Sequence, residues 1–233
     1  MRRSTVLGVL AAAAVVGSAQ ADILWNQLPA YDNFTLPAFP DFVGGTSAAF
    51  AVSDVSVPAS GWTINSVSTY FSDLSFNPTV TTAVLNIFPK SGGLPTASND
   101  PRPSPTGQGT IVVPVDVRSQ GGTSQQPVMI ITATGLNVIL SQGEYWIGLT
   151  PALNSGPFGS DNHWATESVI GSQSAARGFG SGPGAAFPWG SVGPLSGSAA
   201  FDLALTVTGT PVPAPSSFAL LGLAGLAINR RRR

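Results

Sequence analysis

The sequence predicts an all-β fold, a single β-sandwich of jelly-roll type, flanked by an N-terminal signal peptide and a short C-terminal hydrophobic helix. Residues 111–118 and 201–208 alternate apolar and polar side chains, the pattern of a strand with one buried face. Groups rich in Gly, Pro, Asn and Ser separate such stretches, and no segment of residues 22–209 keeps a helical period. Short strands with these turns favour a sandwich over a helical or mixed fold. The other predicted strands are residues 48–57, 62–71, 81–88, 128–133, 137–140 and 144–149.

Residues 1–21 have the pattern of a secretory signal peptide. Two arginines follow the initial methionine, residues 6–16 are apolar, and Ala19 and Ala21 form a small-x-small cleavage site. We therefore expect export by Sec-type machinery and a mature chain that begins at Asp22. The alternatives are a retained membrane helix and a twin-arginine export route.

The body, residues 22–209, is expected to fold as one domain. Six of the ten basic residues lie in the two end segments, whereas all eleven acidic residues lie in the body, so the body has four basic residues and a net charge of −7. Such a surface repels nucleic acid, which makes a nucleic-acid function improbable. The chain has no cysteine, which excludes disulfides, thiol catalysis and cysteine-bound metals.

Two long segments interrupt the strand pattern. Residues 92–109 form a polar loop with four prolines, and residues 168–198 are rich in Gly, Ser and Pro. The second segment contains Phe179, Phe187 and Trp189, and aromatic side chains of this size gain by packing against a core. We therefore expect the second segment to be partly ordered.

The C-terminal segment, residues 210–233, has three parts. Prolines at every second position from Pro211 to Pro215 predict an extended spacer, because proline fits neither a helix interior nor a sheet interior. Residues 218–228 are all apolar or glycine, and as a helix they would extend ~16 Å at ~1.5 Å per residue, against a bilayer core of ~30 Å. Four arginines follow, and basic residues favour the cytoplasmic side of a membrane.

A proline-rich spacer, a short apolar helix and a terminal arginine run, in this order, resemble the PEP-CTERM sorting signal of exported bacterial proteins. The resemblance implies recognition by an exosortase-type membrane protease, removal of the tail near the proline motif, and delivery of the body to the cell surface or to an extracellular polysaccharide matrix. Ala214 stands where the family's name has glutamate between two prolines. The alternative is an ordinary membrane anchor that is never cleaved. The matching residues are Val212, Pro213, Pro215, Arg230, Arg231, Arg232 and Arg233.

Catalytic motifs are nearly absent from the sequence. His163 is the single histidine, so a metal site with two histidines cannot form. A G-x-S-x-G nucleophile elbow is missing, and pairs of acids such as Asp161 with Glu167 have no spacing that identifies a glycosidase. We predict no catalytic residues, no cofactor and no metal site. Calcium bound by loop acids has no supporting motif.

Carbohydrate binding is the better alternative to a purely structural role. An aromatic ring can stack on the apolar face of a sugar while nearby amide and carboxylate groups bind its hydroxyls. Candidate glycan contacts are therefore Asp161, Asn162, Trp164 and Trp189, whereas the tryptophans at 62 and 146 lie in strand patterns and are expected in the core.

Together these observations predict an exported, non-catalytic protein of the cell surface or of an exopolysaccharide-associated extracellular matrix. Its expected partners are the export machinery, an exosortase-type protease, exopolysaccharide, and the inner membrane, which it contacts transiently through residues 218–228. A carbohydrate-binding module and a secreted hydrolase acting on polysaccharide remain the alternative functions.

Overall fold

The structure is a computed structural model, and parts of the chain lie outside what it describes. Those parts include most of the predicted signal peptide and the tail after Val212. The described residues are 21–27, 35–37, 47–73, 80–96, 98–102, 110–123, 126–151, 163–168, 175–181, 188–191 and 202–212.

Fourteen strands and no helix occur in these ranges, so the predicted all-β class is confirmed. The strands are β1 (Asp22–Gln27), β2 (Thr35–Pro37), β3 (Ser47–Val57), β4 (Trp62–Asp73), β5 (Thr82–Pro89), β6 (Thr110–Thr123), β7 (Gln126–Ala133), β8 (Val138–Leu140), β9 (Gly143–Pro151), β10 (His163–Ser168), β11 (Ala175–Ser181), β12 (Trp189–Ser191), β13 (Asp202–Leu203) and β14 (Leu205–Pro211).

The strands form one nearly closed, barrel-like sheet. Its main order is β1-β14-β4-β7-β6-β5-β9-β3-β11-β12, and every pair is antiparallel. Outside this path, β8 pairs with β4, and β10 pairs with β2, β4 and β13. The two-sheet jelly-roll arrangement is not confirmed by this pairing.

Strand β6 joins the two halves of the sheet. Its first residues, up to Pro114, pair with β5, and from Val115 onward it pairs with β7. Proline lacks an amide proton, so it is tolerated where a strand exchanges one partner for another. The change of partner after Pro114 is therefore compatible with a proline inside this long strand.

The main core lies inside the sheet and is built from alternate residues of the neighbouring strands. Burying one such aliphatic side chain contributes about 1.5–3 kcal/mol, so these residues dominate the stability of the body. The strongest contributions come from Val55, Ile64, Val67, Leu85, Ile131, Ile147 and Val207, which have no exposed surface.

All eight predicted strands are present, with their ends shifted by a few residues. The last one is interrupted at Ala204 and continues past Gly209 to Pro211. Five strands were not predicted, namely β1, β2, β10, β11 and β12. Two of these, β11 and β12, lie within residues 168–198, so the expected partial order of that segment is confirmed.

Candidate functional site

The tail of the chain begins directly at the end of strand β14. This strand pairs with β4 along its whole length, from Leu205 opposite Thr69 to Pro211 opposite Trp62. Alternate residues of β14 point into the core, where Leu205 and Val207 are buried. The last strand is therefore held both by its hydrogen bonds and by its buried side chains.

A turn at residues 58–61 fixes the point where the chain leaves the sheet. Gly61 has a φ of +70°, a conformation that glycine adopts readily, and its amide donates to the carbonyl of Pro58 at 2.8 Å. The carbonyl of Gly61 accepts a hydrogen bond from the amide of Val212 at 3.1 Å. Hydrogen bonding to the body thus extends to Val212, one residue beyond β14.

Gly209 allows the strands at this point to approach closely. The pairing of β14 with β4 shifts register between Thr208 and Gly209, and a side chain at 209 would overlap the carbonyl oxygen of Thr63 and lie 2.9 Å from Leu24. On its other side Gly209 pairs with Asp22, the first residue of β1. The start of the predicted mature chain therefore lies beside its C-terminal exit.

We call this end of the sheet the exit end, and define it by Asp22, the turn at 58–61, Leu140 and Pro211. Leu140 belongs to it because β8 pairs with the start of β4, Leu140 opposite Trp62. Because the strands are antiparallel neighbours in register, the chain before β1 and the chain after β14 leave the body side by side.

A comparison with protein-family models matches residues 211–233 to the PEP-CTERM protein-sorting motif. The chain carries a PEP-CTERM sorting signal. The resemblance inferred from the sequence is thereby confirmed, although Ala214 departs from the glutamate of the motif's name. A PEP-CTERM signal implies processing by exosortase, a membrane protease, and export through the membrane to the cell surface or extracellular space. No curated protein and no solved structure matches the chain.

The structure describes only the first residues of the PEP-CTERM signal. Pro211 is exposed in β14 and Val212 is partly buried beside Gly61. Pro213, Pro215 and the four arginines at 230–233 lie outside the described residues, as does Ala19 of the predicted leader. Ala21 is described, and it is exposed immediately before β1.

A second cluster, not predicted from the sequence, lies on the outer face of β3, β5 and β9. Lys90 Nζ is 2.6 Å from Asp54 Oδ2 and lies 4.9 Å above the ring of Trp146, a cation–π arrangement. The Asp54 side chain is 6% exposed and that of Lys90 is 18% exposed. Asp54 pairs directly with Trp146 across β3 and β9. The signal available in the sequence was an aspartate in the middle of the strand predicted at residues 48–57.

Two polar atoms of this cluster are buried without a hydrogen-bond partner in the described part of the chain. They are Asp54 Oδ1 and the indole nitrogen of Trp146. Lys90 binds Oδ2 of this carboxylate, whereas Oδ1 has no hydrogen-bond partner among the described residues. The ion pair is therefore an integral part of the packing on this face.

The loop after β5 covers part of the same face. The indole nitrogen of Trp189 donates to the carbonyl of Asn99 at 2.8 Å, and its ring packs edge-on against Phe88 with centroids 6.3 Å apart. In the loop, Arg102 Nε donates to Asp100 Oδ1 at 2.8 Å. Burial raises the pKa of Asp100, but the hydrogen bonds and charge of Arg102 outweigh it and hold the pKa below its ordinary value.

The predicted glycan contacts do not lie on neighbouring strands. Trp164 is in β10, which pairs with the last residues of β4, whereas Trp189 is in β12, which pairs with β11. Asp161 and Asn162 lie outside the described residues, and of Trp164 and His163 only the backbone is described. Trp189 is held against the body by Asn99 and Phe88. Carbohydrate binding at these residues stays a prediction.

A small cavity of about 10 Å³ lies between Ser53, Thr69, Thr150 and Leu203. This volume suits about one water molecule and is far too small for a sugar. Within the described ranges no cluster of three or more His, Asp or Glu residues could hold a metal ion. No helix that is long and apolar enough to cross a bilayer is found there either.

Proposed function

We propose that this chain is an exported, non-catalytic protein of the cell surface or extracellular polysaccharide matrix. Its tail holds it in the inner membrane until an exosortase cuts near the proline motif. The observation that carries this proposal is the PEP-CTERM signal at residues 211–233, which begins within the last strand of a folded all-β body. A jelly-roll sandwich is the body fold that we propose for this role.

Each of the three parts of the tail has a separate role in sorting. Residues 218–228 enter the bilayer, and the four terminal arginines keep the C-terminus on the cytoplasmic side. The prolines at 213 and 215 cannot donate backbone hydrogen bonds, so they resist incorporation into the sheet and leave an extended segment for the protease. The leader at residues 1–21 delivers the body across the membrane first.

The architecture of the junction supports release of a stable body. The pairings of β14 with β1 and β4 end at Pro211 or earlier in the chain. The next residue, Val212, donates its amide hydrogen bond to the carbonyl of Gly61. A cut beyond Val212 therefore leaves all the described strands and the pairings of β14 in place. The released body keeps its net charge of −7, which disfavours adhesion to nucleic acid and to anionic lipid.

The deciding experiment is the intact mass of the protein recovered from its native host, with and without a functional exosortase. We expect a surface or matrix form that begins at Asp22 and ends between Val212 and Pro215. Without exosortase we expect the protein in the membrane with its tail intact. Full-length protein recovered from the cytosol would contradict the proposal, and a tail retained when exosortase is active would favour a permanent anchor.

A further inference from the structure

The length of the segment between the body and the apolar run limits how the body can lie on the membrane. The last described hydrogen bond to the body is made by Val212, and the apolar run begins at residue 218. Six residue steps at ~3.3–3.6 Å each allow at most ~22 Å between them. Strand β4 alone has 12 residues, which corresponds to ~40 Å at ~3.3 Å per residue. The exit end must therefore stay close to the bilayer while the tail is inserted.

The two most exposed large apolar side chains of the described body are at this same end. Ile139 in β8 is 68% exposed and pairs with Thr63, and Ile23 in β1 is 65% exposed and pairs with Thr208. Thr208 belongs to β14, which leads into the tail, and Thr63 belongs to the start of β4, which pairs with the end of β14. An exposed side chain of this size lacks apolar burial, and a bilayer interface within the span of the tail can provide it.

We propose that the exit end docks on the surface of the bilayer that holds the tail, with Ile23 and Ile139 entering the interfacial region. This inference rests on the proposed insertion of the tail. The exposed Asp22 beside Ile23 limits the contact to the headgroup level, because a carboxylate does not enter the hydrocarbon region. In this orientation β10, which pairs with β4 at Phe71, Ser72 and Asp73, lies at the end directed away from the membrane.

The absence of cysteine from the chain makes a direct test simple, since any introduced cysteine is unique. Ile23→Cys and Ile139→Cys place a probe at the exit end. Thr81→Cys is the matched control: Thr81 is exposed and precedes β5, whose first residues pair with the end of β9 that is remote from the exit. All three sites are at exposed or strand-edge positions, and unchanged urea unfolding would verify that each variant folds.

Each variant would be purified with its tail from membranes of cells lacking exosortase, labelled with an environment-sensitive fluorophore, and reconstituted into phosphatidylethanolamine–phosphatidylglycerol vesicles. Flotation establishes whether the tail inserts. We expect the probes at 23 and 139 to shift to shorter wavelength and to lose most of their emission when the lipids carry brominated chains. The probe at 81 should show neither change.

The outcomes separate the docking from the sorting function. Floating protein whose three probes all remain in water, or whose probe at 81 is quenched by brominated lipid, would overturn the docking while leaving tail insertion intact. A wavelength shift at 23 and 139 without quenching would indicate coverage by a second protein molecule and would also overturn it. Protein that fails to float would refute tail insertion itself.

Discussion

Replacing Lys90 with methionine should strongly destabilise the body, because it leaves the Asp54 carboxylate buried without its positive partner. The ammonium is 2.6 Å from Asp54 Oδ2, and Asp54 is 6% exposed. The other carboxylate oxygen has no hydrogen-bond partner among the described residues. Methionine keeps the length and apolar stem of lysine, so the main change is the loss of the charge.

The expected loss follows from the burial of this pair. Removing one member of a buried ion pair typically costs about 3–5 kcal/mol, and the cation–π contact with Trp146 adds about 0.5–2 kcal/mol. The Lys90 side chain is 18% exposed, so water can partly solvate the Asp54 carboxylate after the substitution. We therefore expect a loss in unfolding free energy near the lower end of this range, about 3 kcal/mol. For a domain of this size that loss lowers the melting temperature by roughly 6–12 °C.

The assay is urea unfolding monitored by tryptophan fluorescence, and two variants serve as controls. Arg102→Met breaks the pair with Asp100, whose side chain is 41% exposed, and should cost no more than about 1 kcal/mol because water can solvate the carboxylate that is left. Asp54→Leu combined with Lys90→Met removes both charges and should recover most of the loss. A loss below about 1 kcal/mol for Lys90→Met would refute the reasoning, since the pair would then behave as a surface salt bridge.

Three further predictions concern other parts of the chain. Ala214→Glu should raise the fraction of protein whose tail exosortase has removed after a fixed time, measured by intact mass. The neutral control Ala214→Gln should leave this fraction unchanged. Equal processing of both variants would show that the carboxylate is not recognised. Gly148→Ala should destabilise the body by about 1–3 kcal/mol, because the added Cβ overlaps the carbonyl of Ala51, whereas Gly92→Ala, with open space around it, should change stability by less than about 0.5 kcal/mol. Because the folded pKa of Asp100 lies below 3.8, its pair with Arg102 contributes to stability above that pH and is lost as the pH falls through the folded pKa. The amide of Arg102, which donates to Asp100 Oδ1 at 3.0 Å, should therefore titrate by NMR with a midpoint below 3.8, and a midpoint at or above 3.8 would contradict this assignment.

The strands that could be predicted are those whose own side chains alternate between apolar and polar or form a mainly apolar run. In β5 and β9 most residues are buried, and β14 alternates between core and surface, so hydrophobic pattern and burial agree. The strands that were missed lack such a pattern. In β1 three apolar residues are consecutive, and β11 contains glycines at 178 and 180. Strand β1 forms because it pairs with β14, and β11 forms because it pairs with β3. The local sequence pattern of a strand does not show a pairing partner that is distant in the sequence.

The candidate site divides in the same way. The PEP-CTERM signal could be identified from the sequence because its three parts are contiguous and each part has a distinctive amino-acid composition. The cluster of Asp54, Lys90 and Trp146 could not, because its members come from three separate segments. They meet only when β9 lies between β3 and β5.

The amino-acid sequence alone identified the PEP-CTERM sorting signal, because its prolines, apolar run and arginines follow one another within residues 211–233. It also determined the all-β class through the alternation of its side chains. The tertiary structure decided which strands become neighbours, and thereby placed Asp22 beside Gly209 and both exits at one end of the sheet. The physical reason is that backbone pairing between distant segments depends on register and on the packing of a shared core, which no local stretch contains.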